Sequence, residues 1–283
     1  MTIEPTSQFL EAAERIGIAF DAGDVGALGK YLELLFAANE TMNLTAVRDV
    51  EQAWMRHILD SLTLLPLLAD LPERGRVIDI GSGGGLPGIP LAITMPHLSF
   101  TLLEATGKKA VFLRGVADQM NLKNVSVLNQ RAEIAAHDRG MKKATGRFGG
   151  HRETYDAVVA RAVGRLHTLA EITVPFAKPT RGEEPGGIVL LIKGAQADAE
   201  LAEAQGALHA LKAVHTGTIE TPTGRIVMLA KGAATPKLYP RHDGEPKRSP
   251  LAARKPDVKP DVKPDSKPEL KSGVKLDPAR GDA

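Results

Sequence analysis

With 283 residues and 43% hydrophobic side chains, the chain is long enough for one large domain or one domain with additions. It contains no cysteine, which excludes disulfides, thiolate metal sites and a cysteine nucleophile. The net charge of +2 conceals an acidic front (4 Lys/Arg against 11 Asp/Glu over residues 1–70) and a basic body (21 against 15 over residues 71–240), a distribution that favours a polyanion as partner of the body.

The opening MTIEPTSQFLEAAERIG carries acids and has neither a basic n-region nor an apolar h-region, so no secretory leader is expected. No apolar run approaches the ~18 residues that span a bilayer. Both readings predict a cytoplasmic protein without membrane contact. Residues ~6–70 read as helical. Phe9, Ala12, Ala13, Ile16 and Phe20 recur at spacings of three or four, as do Leu28, Leu32, Leu35 and Phe36, then Trp54, Ile58, Leu62 and Leu65. From about residue 75 the pattern alternates. Strands are expected at 76–80, 99–104, 124–128, 155–160, 187–193, 214–220 and 225–231, and helices at 88–94, 106–121, 165–177 and 195–212. Strands alternating with helices and a closing pair of strands predict an α/β fold with a doubly wound sheet. The glycine-rich loop 137–152 carries five Lys/Arg without period. Beyond Leu251 the repeat KPDVKPDVKPDSKPELK lacks core formers and predicts a disordered tail. The expected organisation is a helical region over 1–70 packed on the core, a catalytic domain over 71–251 and the tail over 252–283.

The most informative stretch is Arg76–Ala92, RVIDIGSGGGLPGIPLA. A buried strand runs into a turn containing Gly81, Gly83, Gly84, Gly85 and Gly88, and then into a helix. Glycine permits positive φ and close approach of a ligand, and a helix start presents free N–H groups. Gly83, Gly85 and Gly88 fit G-x-G-x-x-G, which alone is a weak signal, since tight structural turns look the same. Asp79 precedes the turn. Glu104, 19 residues after Gly85 and at the end of SFTLL, has the spacing of a carboxylate that accepts from both ribose hydroxyls. An adenosine-bearing cofactor is expected, and at this point both NAD and S-adenosylmethionine qualify.

Blocks along the chain decide between them. VIDIGSGGGLPGIPLA, LLEATGKKAVFLRGVA, NQRAE and VVARAV, together with NLTAVRD (Asn43–Asp49), RHILDS (Arg56–Ser61) and YPRHDGEPKRSPL (Tyr239–Leu251), resemble the bacterial family called RsmG or GidB. The resemblance covers residues ~30–251 and departs from the family pattern at Ala38 and in the longer loop 137–152. It implies a Rossmann-like class I methyltransferase sheet and transfer of a methyl group from S-adenosyl-L-methionine to N7 of a guanine in the 530 loop of 16S rRNA. It further implies that Gly81, Gly83, Gly85 and Leu86 line the methionine and ribose side, that Ala132 and Glu133 contact adenine, and that Arg161 completes the cofactor site.

N7 of guanine is nucleophilic without deprotonation, so no catalytic residue is expected, and no metal-spaced cluster is visible. Candidate RNA contacts are Arg48, Arg56, His57, Lys108, Lys109, Lys193, Tyr239 and Arg241. Lys108 and Lys109 stand at a helix start, where cations oppose the helix dipole. Taken singly, a basic residue of this set is more often a solvated charge than a phosphate ligand, and the cluster carries more weight than its members. His57 and Asp60, three apart, are first expected to form a structural hydrogen-bonded pair, and the alternative for Arg161 is a surface ion pair with Asp156 or a neighbour. Asn43 and Thr45 read as turn and cap residues. The expected partner is small-subunit rRNA, met by a monomer. A dehydrogenase would need a Tyr-x-x-x-Lys relay, which is missing, leaving only His167 and Lys193 as candidates. A cofactor-sensing or RNA-binding protein without turnover also fits the residues.

Overall fold

The computed structural model describes residues 3–141, 149–161 and 164–251. The expected tail and most of the basic stretch of loop 137–152 lie outside them. The front of the chain is helical: α1 (Ser7–Arg15), α2 (Asp24–Met42), α3 (Val50–Ala53), a π-helical segment Trp54–Leu59, α4 (Asp60–Leu62) and α5 (Leu65–Leu68). Thr6 caps α1 by accepting from the Phe9 N–H at 3.2 Å. Asn43 ends α2 in the left-handed region, which its short polar side chain tolerates. The front is held by one apolar face. Phe9 stacks on Trp54 with ring centroids 4.6 Å apart, and both are fully buried with Leu28, Leu32 and Leu35. This cluster continues into Leu86, Ile89, Leu102 and Leu113 of the sheet layer, so the front and the sheet share a core.

The sheet follows: β1 (Arg76–Ile80), α6 (Gly88–Thr94), β2 (Ser99–Leu103), α7 (Gly107–Gln119), β3 (Val125–Leu128), α8 (Ala132–Ala135), β4 (Ala157–Arg161), α9 (Leu166–Thr173), β5 (Ile188–Lys193), α10 (Ala197–Leu211), β6 (Ala213–Thr221), β7 (Gly224–Lys231) and α11 (Glu245–Arg248). The strand order is β3-β2-β1-β4-β5-β7-β6. β1 to β5 are mutually parallel, and β7 joins antiparallel between β5 and β6. The chain leaves β1 toward β2 on one side and returns to β4 on the other. That reversal opens a crevice beyond the carboxyl ends of β1 and β4.

The expected strands and the four expected sheet helices are present, with ends that move by no more than a few residues. The helix expected over 165–177 stops at Thr173 and closes with a 3-10 turn, Val174–Phe176, because Pro175 has no N–H to extend the ladder. The regular helix expected through Trp54, Ile58 and Leu62 is widened by the π-segment, which changes the angular relation between residues on either side of it.

The glycines predict a sharp contrast in stability. A Cβ at Gly88 would stand 2.3 Å from Leu102 Cδ2 and 2.8 Å from Asp79 Oδ2, both fully buried. Gly88→Ala should therefore cost about 1–3 kcal/mol, read as a lower urea midpoint at constant m-value. Gly115, inside α7, has only the tip of Gln119 within 4 Å, so Gly115→Ala should raise stability by about 0.4–1 kcal/mol.

Candidate active site

The turn after β1 is a backbone structure pinned from three sides. Gly81 and Ser82 donate their N–H groups to Leu103 O at 2.8 and 3.1 Å, which ties the turn to the end of β2. Gly83 N–H donates to Glu104 Oε2 at 2.9 Å, and Thr106 N–H to the other oxygen at 2.7 Å. From the helical front, the buried Tyr31 hydroxyl donates to Gly84 O at 2.8 Å. Gly81, Gly83 and Gly85 all have positive φ (73°, 55° and 100°).

These glycines have different uses. A Cβ on Gly84 would meet Leu35 at 2.9 Å, and one on Gly85 would meet Ile89 at 2.6 Å. Both are bare because neighbours pack there, so Gly85's missing side chain is explained without a ligand. Around Gly83 only Gly81 O lies within 4 Å, at 3.8 Å. Gly83 is thus the point where the turn faces open space. Leu86 is buried in the core shared with the front, so it offers the cradle backbone rather than side chain. Glu104, 7% exposed, already accepts one backbone N–H on each oxygen. A carboxylate has about four acceptor positions, so two remain for hydroxyl groups.

Asp79 lies beneath the turn with no exposed surface. Its Oδ2 accepts from Gly88 N–H at 3.1 Å, and its Oδ1 has no partner. Burial pushes its pKa up to about 7 against the lowering effect of its hydrogen bonds and of Arg161.

A second wall comes from the front and the closing hairpin. Arg161, the last residue of β4, donates through Nη1 to Arg56 O at 2.6 Å and pairs with Asp60 Oδ2 at 3.2 Å. The Thr223 hydroxyl donates to Asp60 Oδ1. Thr223 lies in the β6–β7 turn, and the register Lys193↔Arg225 places that turn at the carboxyl end of β5. Beside this wall is a cavity of about 660 Å³ lined by Asp49, Gln52, Met55, Arg56, Asp60 and Thr223 among others.

Two expected pairings are corrected here. His57 and Asp60 do not bond to each other, because His57 sits in the π-segment and Asp60 begins the next turn. The His57 Nε2 meets Thr45 Oγ1 at 2.6 Å instead, and Thr45 is bracketed by Asn39 through bonds of 2.8 and 2.9 Å. Arg161 pairs with Asp60 rather than Asp156, which is occupied by Lys178 and by the Arg76 N–H.

The other candidates divide by environment. Arg48, Arg56 and Lys108 are exposed and Lys109 half-buried, and none forms an ion pair among the described residues. Lys193 is spent on the Gly164 carbonyl at 2.6 Å and on Glu200 at 2.7 Å. Arg241 grips the fully buried Glu171 through Nε at 2.9 Å and Nη2 at 2.7 Å. Both are corrected from open cations to structural ones. Tyr239 is half-buried against the core, and its carbonyl accepts from Arg152 at 2.8 Å. Arg152, counted among the loop cations by sequence, is 3% exposed and also serves the carbonyls of Ala136, Thr235 and Pro236. Ala132 packs half-buried against the core, and Glu133 accepts from Gly244 N–H at 3.0 Å.

Tyr31 and Thr223 escaped the sequence reading. Tyr31 sits on the apolar face with Leu28 and Leu32, where spacing does not distinguish it from packing. Thr223 had one usable signal, its position in the turn of the strand pair that closes the sheet. No helix among the described residues is long and apolar enough to cross a membrane, and no group of His, Asp or Glu among them could hold a metal ion.

Comparison with known proteins places this geometry. Residues 25–225 match the family described as rRNA small subunit methyltransferase G. A "Ribosomal RNA small subunit methyltransferase G" from Sorangium cellulosum is 49% identical over 238 residues, covering 84% of this chain and 92% of the relative. One of the same description from Leuconostoc citreum is 37% identical over 258 residues, covering 89% and 100%. Among solved structures, a putative O-methyltransferase from Klebsiella pneumoniae shares the fold, with TM-score 0.51 and 14% identity over 81% of this chain and 97% of that one.

The two perturbed groups of the site predict opposing pH dependences. Asp79 keeps its proton to about pH 7 in the fold, while the unfolded chain releases it near pH 4, so its contribution falls as pH rises from about 4 to 7. Burial and then the charge of Arg161 lower His57 to about 4. The unfolded chain binds that proton below about 6.5 and the fold does not, so the His57 contribution rises with pH from about 4 to 6.5. His57→Gln should leave stability falling with pH over this window, and Asp79→Asn should leave it rising. Urea midpoints measured between pH 4 and 7 check the signs, and equal slopes in the two variants would contradict the assignment.

Proposed function

The chain belongs to the rRNA small subunit methyltransferase G family, and on that premise we propose that it transfers a methyl group from S-adenosylmethionine to N7 of a guanine in the 530 loop of 16S rRNA. The observation that carries this reading is the pinned turn. Gly83 faces open space where its neighbours Gly84 and Gly85 are packed, the turn lies between Asp79 and Glu104, and it stands at the switch point of the sheet. These features fit the cofactor. Gly83 leaves room for close approach, Glu104 retains acceptor positions for ribose hydroxyls, and Asp79 Oδ1 is an unmatched buried polar atom beneath the turn.

Each contact in the assignment has its own warrant. Backbone at Gly81 and Leu86 lines the methionine and ribose side. Ala132 and Glu133 stand at the adenine end, with the second oxygen of Glu133 available to an amino group. Arg161 borders the site from β4. Arg48, Arg56, Lys108 and Lys109 meet RNA phosphates, and His57, Lys193, Tyr239 and Arg241 support the RNA face through the contacts they make within the fold. The protein works as a monomer in the cytoplasm. Residues 1–70 form a helical region packed on a 71–251 methyltransferase domain, and the 252–283 tail lies outside the catalytic unit.

When bound, S-adenosylmethionine supplies a methyl group on a sulfonium, which an unshared pair on a ring nitrogen accepts without a general base. The protein therefore contributes position and environment. Rigid backbone at the turn fixes the donor, and apolar packing from Leu86, Ile89 and Tyr31 backs the turn and keeps water out beneath it. Catalysis by placement explains why no Ser-His or Cys-His pair is needed.

The decisive experiment supplies S-adenosylmethionine labelled in its methyl group with small-subunit rRNA or assembled particles, and maps the labelled nucleotide. Label at N7 of one guanine in the 530 loop is expected, and label elsewhere or none at all refutes the assignment. Gly83→Val places a branched side chain at φ 55° in the open face. It should abolish calorimetric binding of S-adenosylmethionine while costing the fold only about 1–3 kcal/mol. Normal binding by the folded variant would move the cradle elsewhere.

A further inference from the structure

The 660 Å³ cavity between the front and the closing hairpin is separate from the glycine turn, and two of its lining residues, Arg56 and Asp60, are held by Arg161. Arg161 ends β4, and β4 pairs directly with β1, whose end leads into the turn. The residue that anchors the cavity wall therefore ends the strand next to the one that leads into the turn. Resting on that reading, we propose that this cavity takes the target guanine, flipped out of the RNA, and that Asp60 reads its Watson–Crick edge.

The lining selects the ligand's chemistry. Asp49, Glu51 and Asp60 all contribute. Three carboxylates repel a phosphate and favour a neutral group with N–H donors. Met55 offers an apolar surface for a ring face. Arg56 is exposed and lacks an ion pair among the described residues, so it can meet the phosphate that a flipped nucleotide carries. Bases acted on by enzymes are extruded from their stack and read on this edge.

Asp60 is the carboxylate suited to reading. Asp49 and Glu51 are exposed, and Asp49 Oδ1 already caps α3 through the Gln52 N–H at 2.9 Å. Asp60 is 6% exposed and held on both oxygens, by Arg161 at 3.2 Å and by the Thr223 hydroxyl. Each oxygen keeps a second lone pair, so two parallel acceptor positions remain in a fixed orientation. Guanine is the RNA base with two adjacent donors on its Watson–Crick edge, N1–H and the 2-amino group. Adenine, cytosine and uracil place acceptors there. N7 lies on the opposite edge of the purine. A guanine held by Asp60 can therefore turn N7 toward the glycine turn, and the same contact that selects the base orients its nucleophile.

The test uses two RNAs that differ in one amino group, with guanosine or inosine at the methylated position. With wild type, inosine should lower kcat/KM roughly tenfold to hundredfold, the usual effect of deleting a hydrogen bond to a charged acceptor. In Asp60→Asn the ratio between the RNAs should shrink to within about threefold. A purely structural role for Asp60, through Arg161, would slow both RNAs alike and leave the ratio unchanged, and that result overturns the proposal. Gln52→Trp provides a second variant that leaves Asp60 in place and fills the cavity from an exposed helix position. It should raise KM for RNA at least tenfold with unchanged affinity for S-adenosylmethionine, and an unchanged KM overturns the proposal. Wild type that methylates guanosine and inosine RNAs equally removes the base pocket alone, whereas wild type that methylates neither removes the functional reading and the pocket with it.

Discussion

The contact between Asp79 and the first turn of α6 sets the geometry of everything above it. A carboxyl group with no exposed surface needs a donor, and the one it has is the Gly88 N–H at 3.1 Å. That bond draws the start of α6 against the end of β1 so closely that a single methyl group at Gly88 would overlap Leu102. The chain between Ile80 and Gly88 then has too little space to form anything but a tight turn with positive φ at Gly81, Gly83 and Gly85. The cradle is a consequence of how near a helix is held to a strand, and the unmatched Oδ1 is the remainder of that arrangement.

The helical front completes the site rather than decorating it. Tyr31 fixes Gly84 from α2, while Arg56 and Asp60 hold Arg161 from the π-segment and the turn after it. A regular α-helix across Trp54–Leu59 would swing Asp60 relative to His57, and the two have separate duties: one binds Thr45 in the loop and the other binds β4 and the β6–β7 turn. An extra residue in the turn lets one apolar face stay buried while the polar groups on either side of it aim at different partners. Because Phe9, Trp54 and Leu32 share a core with Ile89 and Leu113, disturbing the front should be felt in the turn and at Arg161.

Local pattern made the sheet legible. Alternation of apolar runs with 3.6-residue periodicity is a property of adjacent residues, so strands such as 76–80 and helices such as 88–94 could be read to the residue. The glycine turn and Glu104 were legible for the same reason, since their spacing along one βαβ unit fixes their meeting in space. Partner identity was not. Whether Lys193 faces RNA or Glu200, and whether Arg152 belongs to a basic loop or clamps Tyr239, Thr235 and Pro236, depends on contacts spanning up to 87 residues of chain. The π-segment left no trace in the apolar spacing, because Trp54, Ile58 and Leu62 are buried in either geometry.

These pairings revise what the charge of the body means. Its excess of Lys and Arg suggested a surface made for phosphate, yet Arg152, Lys193 and Lys231, and Arg241 just beyond it, are drawn inward to carbonyls and carboxylates. A cation that keeps its partner cannot release counterions from RNA, so it adds nothing to salt-dependent affinity. The cations left without ion pairs among the described residues include Lys108 and Lys109 at the start of α7 after β2, with Arg48 and Arg56 on the front, of which Arg56 lies against the end of β4 through its carbonyl. Phosphate contacts set where a nucleic acid lies on a protein but carry no information about sequence. In the proposed reading, selection of one guanine comes from a group that meets a base edge, the buried carboxylate of Asp60 anchored on both oxygens. Attraction and selection are thus assigned to different residues, and the fold brings both to the same end of the sheet.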